Sequence, residues 1–297
     1  MLDNGKIAAR IYLPDPEAGY YRGPRFDWSG MVHKVELNGH TFFGEWKAAP
    51  DPKATDNVVG TAGEFGMNSP LGYDEAKPGG TFIKIGVGLL ERINEDPYHF
   101  AKNYRVVTPL PWQVNKGDKW VEFSQALPPT NGWGYEYTKR IELSGDDPSM
   151  TIRYSLKNTG ARPIVTDYYC HNFVVFDGRA LDPGIQVKLP FQSEKPRDIK
   201  GIASIDGDRV TLVKPLPPGQ SLWHEFRAFP PGKESNAFTL TNPETGQAVR
   251  IVGDTGPSKI VFYGIGKAVC VEPVIAIDLK PGEEKTWSDQ YEFTKSH

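Results

Sequence analysis

Two titratable side chains stand alone in the middle of apolar runs, and their chemistry is complementary. His171 sits inside T-D-Y-Y-C-H-N-F-V-V-F-D-G (166–178), and Glu272 inside A-V-C-V-E-P-V-I-A-I-D-L (268–279). An unperturbed imidazole titrates near ~6.5 and a glutamate carboxyl near ~4.3, so together they offer a proton donor and an acceptor around neutral pH. That combination suits general acid–base catalysis. Two buried groups that merely satisfy one another would leave the same trace. Small residues accompany Glu272 on its face (Ala268, Cys270, Val274) and leave room for a ligand. On the other run, Tyr169, Phe173, Val175 and Asp177 share the face of His171.

A second set of candidates lies earlier. Lys84 in T-F-I-K-I-G-V-G-L-L-E-R shares a face with Phe82, Gly86 and Gly88, whereas Thr81, Ile83, Ile85 and Val87 take the other. Glycines let a ligand approach the backbone, so Lys84 is a candidate contact to a hydroxyl or carboxylate; a solvated strand lysine is the commoner outcome. Arg22 and Arg25 are set among aromatics in G-Y-Y-R-G-P-R-F-D-W-S-G.

The elements that must position these residues are strands. The His171 run is bounded by Ala161-Arg162-Pro163 and Asp177-Gly178 and reads as a strand covered on both faces. Asn38-Gly39 between alternating apolar residues predicts a tight hairpin. Further turn signals stand at 205–208, 243–246 and 280–283. Residues 48–80, rich in Gly, Pro and Asp, read as one long loop. No amphipathic pattern of helical length emerges, and no Ser/Gly linker divides the chain. The expectation is an all-β protein: a large antiparallel β-sandwich forming a single domain over residues 1–297.

Composition narrows the function. The chain carries a net charge of −3 without a basic run, which disfavours nucleic acid as a partner. No apolar stretch approaches the ~18 residues of a membrane span. The N-terminus lacks a signal-peptide core, so a cytoplasmic location is expected, with a secreted or periplasmic one if a leader has been removed. The two cysteines, Cys170 and Cys270, lie inside apolar strands and read as buried free thiols. There is no G-x-S-x-G nucleophile motif. Gly264-x-Gly266 lacks a third glycine and a following helix. Cys170 and His171 point to opposite faces, and His33, His40, His99 and His224 show no ligand spacing, so no metal is expected.

The Tyr-x-His-Asn-Phe run (169–173), the late Val-Glu-Pro strand (271–273), the following Pro-Gly-Glu and the closing aromatic strand together resemble the aldose 1-epimerase (galactose mutarotase-like) superfamily. The resemblance spans Arg25 to Tyr291 in order and spacing. It implies a cofactor-independent isomerase acting on a mono- or oligosaccharide. Glu272 would take the proton of the anomeric hydroxyl while His171 protonates the ring oxygen. The ring opens, C1–C2 rotates, and reclosure gives the other anomer. A nearby carboxylate is expected to raise the imidazole pKa for this task. Arg25 matches the family's early arginine and would bond sugar hydroxyls, the alternative being a surface guanidinium stacked on Trp28 or Tyr21. Trp133, Tyr169 and Trp28 offer flat faces to a sugar ring or belong to the core. Asp177 and Lys84 complete the expected substrate-binding set.

This chain departs from the family pattern in two places. Gly-Glu-Phe-Gly (63–66) and Pro-Gly-Gly (78–80) replace its Asn…His-Gly-Gly segment, and Val274-Ile275-Ala276-Ile277-Asp278 follows Glu272 where Gln and Pro-Asp are usual. Galactose specificity is therefore not carried over. A non-catalytic carbohydrate-binding protein and a glycan lyase or hydrolase-like relative are the alternatives on the same fold.

Overall fold

The computed structural model describes residues 1–47, 51–193 and 195–295. Antiparallel strands build almost all of it, and the single helical element among the described residues is a 3-10 turn at Lys233–Ser235. Two sheets carry the architecture. The larger has eleven strands and is centred on Trp120–Thr130, Trp133–Leu143, Ser149–Asn158, Glu284–Lys295 and Gln247–Gly253. The smaller has five strands in the spatial order Ser221–Phe226, Lys259–Ile265, Ala268–Leu279, Ile164–Phe173, Gly60–Phe65. Two small sheets, from Leu2–Asp3 to His40–Phe42 and from Thr81–Lys84 to Val106–Pro109, flank them.

Alternation along Ile164–Phe173 divides the interior. Tyr168, Cys170 and Asn172 face the large sheet, where the Tyr168 ring packs 5.1 Å from Trp287 and Trp287 stacks on Tyr154. The Tyr291 hydroxyl donates to Asn172 Oδ1 at 2.7 Å. Aromatic pairs of this kind add about 0.5–1.5 kcal/mol beyond the area they bury. Tyr169, His171 and Phe173 point the other way, into a second apolar cluster with Phe26, Trp46, Ala62 and Cys270. The five-stranded sheet is thus covered on both faces over its middle strands, as continuous apolar runs require.

The hairpin at Asn38-Gly39 forms as expected, with φ of 50° and 79°, and joins Met31–Leu37 to His40–Phe42. Three expectations are corrected. The His171 strand ends at Phe173 rather than running to the Asp177-Gly178 boundary, because beyond it only isolated bridges remain, Val174 to Val269 and Phe176 to Phe42, and Asp177 takes a left-handed φ of 52°. The strand beginning at Thr81 stops at Lys84; the chain turns, with Gly86 at φ 83° packed so close to Asp27 that a Cβ would lie 2.8 Å from that residue's own Cβ. Of the segment 48–80 read as a loop, residues 48–50 lie outside the described residues and 51–80 is not simply a loop. It contains the strand Gly60–Phe65, every residue of which is buried.

Candidate functional site

The site is built on one face of the five-stranded sheet, and its layout follows from strand register. Tyr169 pairs with Val274 on one side and with Glu64 on the other, and His171 pairs with Ala62. The same register reappears where Val174 bridges Val269, which places His171 directly across from Glu272. Side chains opposite one another on antiparallel strands share a face and lie close. His171 Nε2 and Glu272 Oε1 are 3.1 Å apart, with the two side chains 8% and 11% exposed. The two residues singled out from sequence, 101 positions apart, therefore meet.

The imidazole is held by aromatic walls. It stacks on Phe173 at 3.8 Å with an interplanar angle of 11°, and Phe173 in turn stacks on Trp46. Tyr263 meets the imidazole edge-on at 5.3 Å. The second ring nitrogen, Nδ1, is buried without a hydrogen-bond partner. Burial drives both members of the pair toward their neutral forms. The Glu272 carboxyl is pushed up to about 8, an effect that Arg25 partly offsets and Glu64 reinforces. Burial, with Arg25 adding to it, holds the His171 imidazole well below its ordinary value. The expected upward shift of the histidine is thus reversed, since burial strips its water and the neighbouring carboxyl, itself driven toward its neutral form, supplies no opposing charge. A protonated carboxyl beside a neutral imidazole contains the same single proton as a carboxylate beside an imidazolium, so the pair titrates as one unit.

Arg25 and Tyr169 join this site through a residue that the sequence did not single out. Glu64, fully buried, accepts from Arg25 Nε at 2.7 Å, from the Tyr169 hydroxyl at 2.5 Å and from Lys84 Nζ at 3.0 Å. Arg25 Nη2 donates to the Tyr169 oxygen at 2.8 Å, and its guanidinium lies between the rings of Phe26 and Phe100. Burial alone would raise the Glu64 carboxyl, but the Arg25 and Lys84 cations outweigh it and keep it below its ordinary value. Lys84 is fully buried and also donates to Gly66 O and the Tyr98 hydroxyl, so its three donors are all engaged within the protein. It stands behind Glu64, with no side-chain surface exposed.

Two expected contacts lie elsewhere. Asp177 Oδ1 accepts from the Thr41 amide at 2.7 Å while Oδ2 bonds His40 Nδ1 at 2.8 Å, an arrangement that closes a turn. Trp133 borders a shallow groove of about 200 Å³ with Gly72, Glu75 and Thr81, and the Arg162 guanidinium covers its ring at 3.8 Å. Trp28 is buried and donates to Gly23 O. In compensation, Trp223, 55% exposed, stands on the edge strand in register with Tyr263. Among the described residues, no three His, Cys, Asp or Glu side chains gather as metal ligands. No described helix is long and apolar enough to cross a membrane.

No family model and no curated protein matches the chain. Solved structures do match along nearly its whole length. A galactose mutarotase-like protein from Lactobacillus casei superposes with a TM-score of 0.57 at 12% identity, covering 99% of both chains. The Slr1438 protein from Synechocystis gives 0.56 at 13% identity over 97% of this chain and 96% of its own. A galactose mutarotase related enzyme from Lactobacillus acidophilus gives 0.55 at 12% identity over 99% and 96%. At such identities the likeness is one of architecture. The chain has the galactose mutarotase-like β-sandwich fold.

Proposed function

We propose that the chain is a carbohydrate-active protein whose sugar ligand is seated against His171 and Glu272, and that the pair interconverts sugar anomers. The observation that carries this reading is the strand register that sets His171 across from Glu272 beside Arg25, in a buried position walled by aromatic rings. Anomer exchange needs one proton delivered to the ring oxygen and one removed from the anomeric hydroxyl. A pair sharing a single proton meets that need in either direction, because the roles reverse on ring closure. Burial favours the arrangement with the proton on Glu272, in which Glu272 donates first and His171 accepts. This inverts the order that the family resemblance implies. Arg25, with Nε and Nη2 fixed by Glu64 and Tyr169, presents its remaining Nη1 to ligand hydroxyls. Support for a carbohydrate ligand comes from the fold neighbours, several of which are described as aldose epimerases or mutarotase-like proteins.

The test is anomer exchange of a panel of free aldoses followed by NMR. Wild type should accelerate at least one sugar, and Glu272→Gln and His171→Asn should each lower the rate by about 10²–10⁴-fold. Absence of acceleration for every sugar, free and phosphorylated, removes the isomerase reading. A second reading, binding without turnover, is favoured by one specific feature: imidazole and carboxyl touch each other, leaving no gap for a hemiacetal between them. Retained sugar binding with no anomer exchange would select it.

A further inference from the structure

The face that bears Glu272 continues outward to the edge of the sheet. In register, Glu272 is followed by Val261 and then Glu225, while Cys270 is followed by Tyr263 and then Trp223. Strands lie about 4.8 Å apart, so the edge strand Ser221–Phe226 is about 10 Å from Glu272, about the span of two linked sugar rings, one at Glu272 and one beyond it. Along that distance the rings change from His171 to Tyr263 to Trp223, and exposure rises to 55% at Trp223. Amphipathic aromatic faces at growing exposure suit stacking on a ring that is half in solvent.

At the outer end of this lane lies a groove of about 390 Å³, where the edges of the two sheets come together. The edge strand Arg197–Ile199 of the large sheet borders it on one side and Ser221–Phe226 of the small sheet on the other. Among the described residues its charged lining is mostly cationic: Lys195, Arg197 and Arg227. The lining carboxylate among the described residues is Glu225, which lies 3.8 Å from Arg227 and 3.4 Å from Lys259, a further cation on the same face. His224 stands in the groove wall, within the electrostatic reach of Arg197. In a protein with net charge −3, this local excess of positive charge is not a sample of the average surface.

We propose that this groove is an anion subsite and that the ligand is an acidic saccharide, with its anionic group, a carboxylate or a phosphate, one ring removed from the anomeric centre at Glu272. The inference rests on the sugar reading above and adds to it the charge and length of the ligand. Trp223 stacks on the second ring, and Arg197 and Arg227 receive the anion.

The experiment is binding of the full chain to an array of matched neutral, uronate-bearing and 6-phosphorylated saccharides, followed by titration calorimetry on the best matched pair. The acidic member should bind about tenfold tighter, as two exposed cation–anion contacts would give. The margin should shrink as salt is added. Arg197→Ser/Arg227→Ser, a pair of exposed positions, should abolish the margin and leave binding of the neutral member unchanged. Phosphorylated and uronate arms separate the two sources of the anion. Neutral saccharides bound as tightly as acidic ones, or a margin that survives the double variant, overturn the subsite and leave the sugar reading standing. Failure of every saccharide to bind overturns both, and binding insensitive to Glu272→Gln but lost in the double variant overturns the connection between them.

Discussion

Glu64 offers the sharpest test of how the site is held. Its carboxylate is inaccessible to water and is the counter-ion of two cations, Arg25, which is mostly buried, and Lys84, which is wholly so. Glu64→Gln preserves shape and removes the charge. Lys84 then remains fully buried without its bonded carboxylate, with only the weaker influence of Asp167 left, and burial already lowers its pKa even with Glu64 in place. Breaking a buried pair from one side costs about 3–5 kcal/mol, because the partner is stranded. For a chain of this size that corresponds to a fall in melting temperature of roughly 10 °C. The assay is urea denaturation of wild type, Glu64→Gln, Lys84→Met and the double variant. The two single losses should together exceed the loss in the double variant by about 1–3 kcal/mol, since removing both members leaves no stranded charge between them. Arg25 and Tyr169 should also lose their fixed geometry, weakening saccharide binding in Glu64→Gln at temperatures where the fold is intact. Additive single losses, or a Glu64→Gln cost below about 1 kcal/mol, would show that the network stabilises nothing and would refute the argument.

Other outcomes follow from the same geometry. Between pH 4.5 and 6.5 the unfolded chain carries one proton on the Glu272 and His171 side chains, and so does the folded pair; between 6.5 and about 8 the unfolded chain has lost its proton and the folded pair still holds it. Stability should therefore fall as pH rises through that upper window, and Glu272→Gln should flatten the slope there, as read from urea midpoints against pH. Anomer exchange should fall off above about pH 8 as the shared proton leaves the pair. Gly60→Ala should cost at least about 2 kcal/mol, because φ is 56° and the new Cβ would meet Val32 O at 1.8 Å; a thermal melt measures it. Asp177→Ala should leave saccharide affinity unchanged while lowering stability by about 1 kcal/mol through loss of the Thr41 and His40 contacts. A changed affinity would return Asp177 to the site.

The parts of the molecule that sequence disclosed are those where a local rule and the tertiary structure agree. Asn38-Gly39 needs no neighbour to favour its turn, and the strand rhythm of the chain is written in alternating apolar residues. His171 and Glu272 were legible because each interrupts an apolar run that only burial explains. Glu64 was not, for the opposite reason. Gly-Thr-Ala-Gly-Glu-Phe has neither alternation nor β-branched density, and it becomes a strand because it pairs with Ile164–Phe173 under a second apolar layer. Proximity of Glu64 to Arg25 and Lys84 is likewise a product of register, which no single segment encodes. Asp177 was misplaced by extending alternation past Phe173, where a left-handed turn ends it. Lys84 read as a ligand contact or a solvated strand lysine because its counter-ion lay in a stretch read as loop.

The two cysteines carry one more consequence. Burial pushes the Cys170 thiol up to about 12 and raises Cys270 well above its ordinary range, and both sit on the central strands of the smaller sheet. Neither sulfur can be alkylated while those strands remain covered. Reaction with a maleimide in native buffer thus clocks the opening of the molecule's innermost layer, giving a label-free-of-engineering readout of how ligands slow that opening.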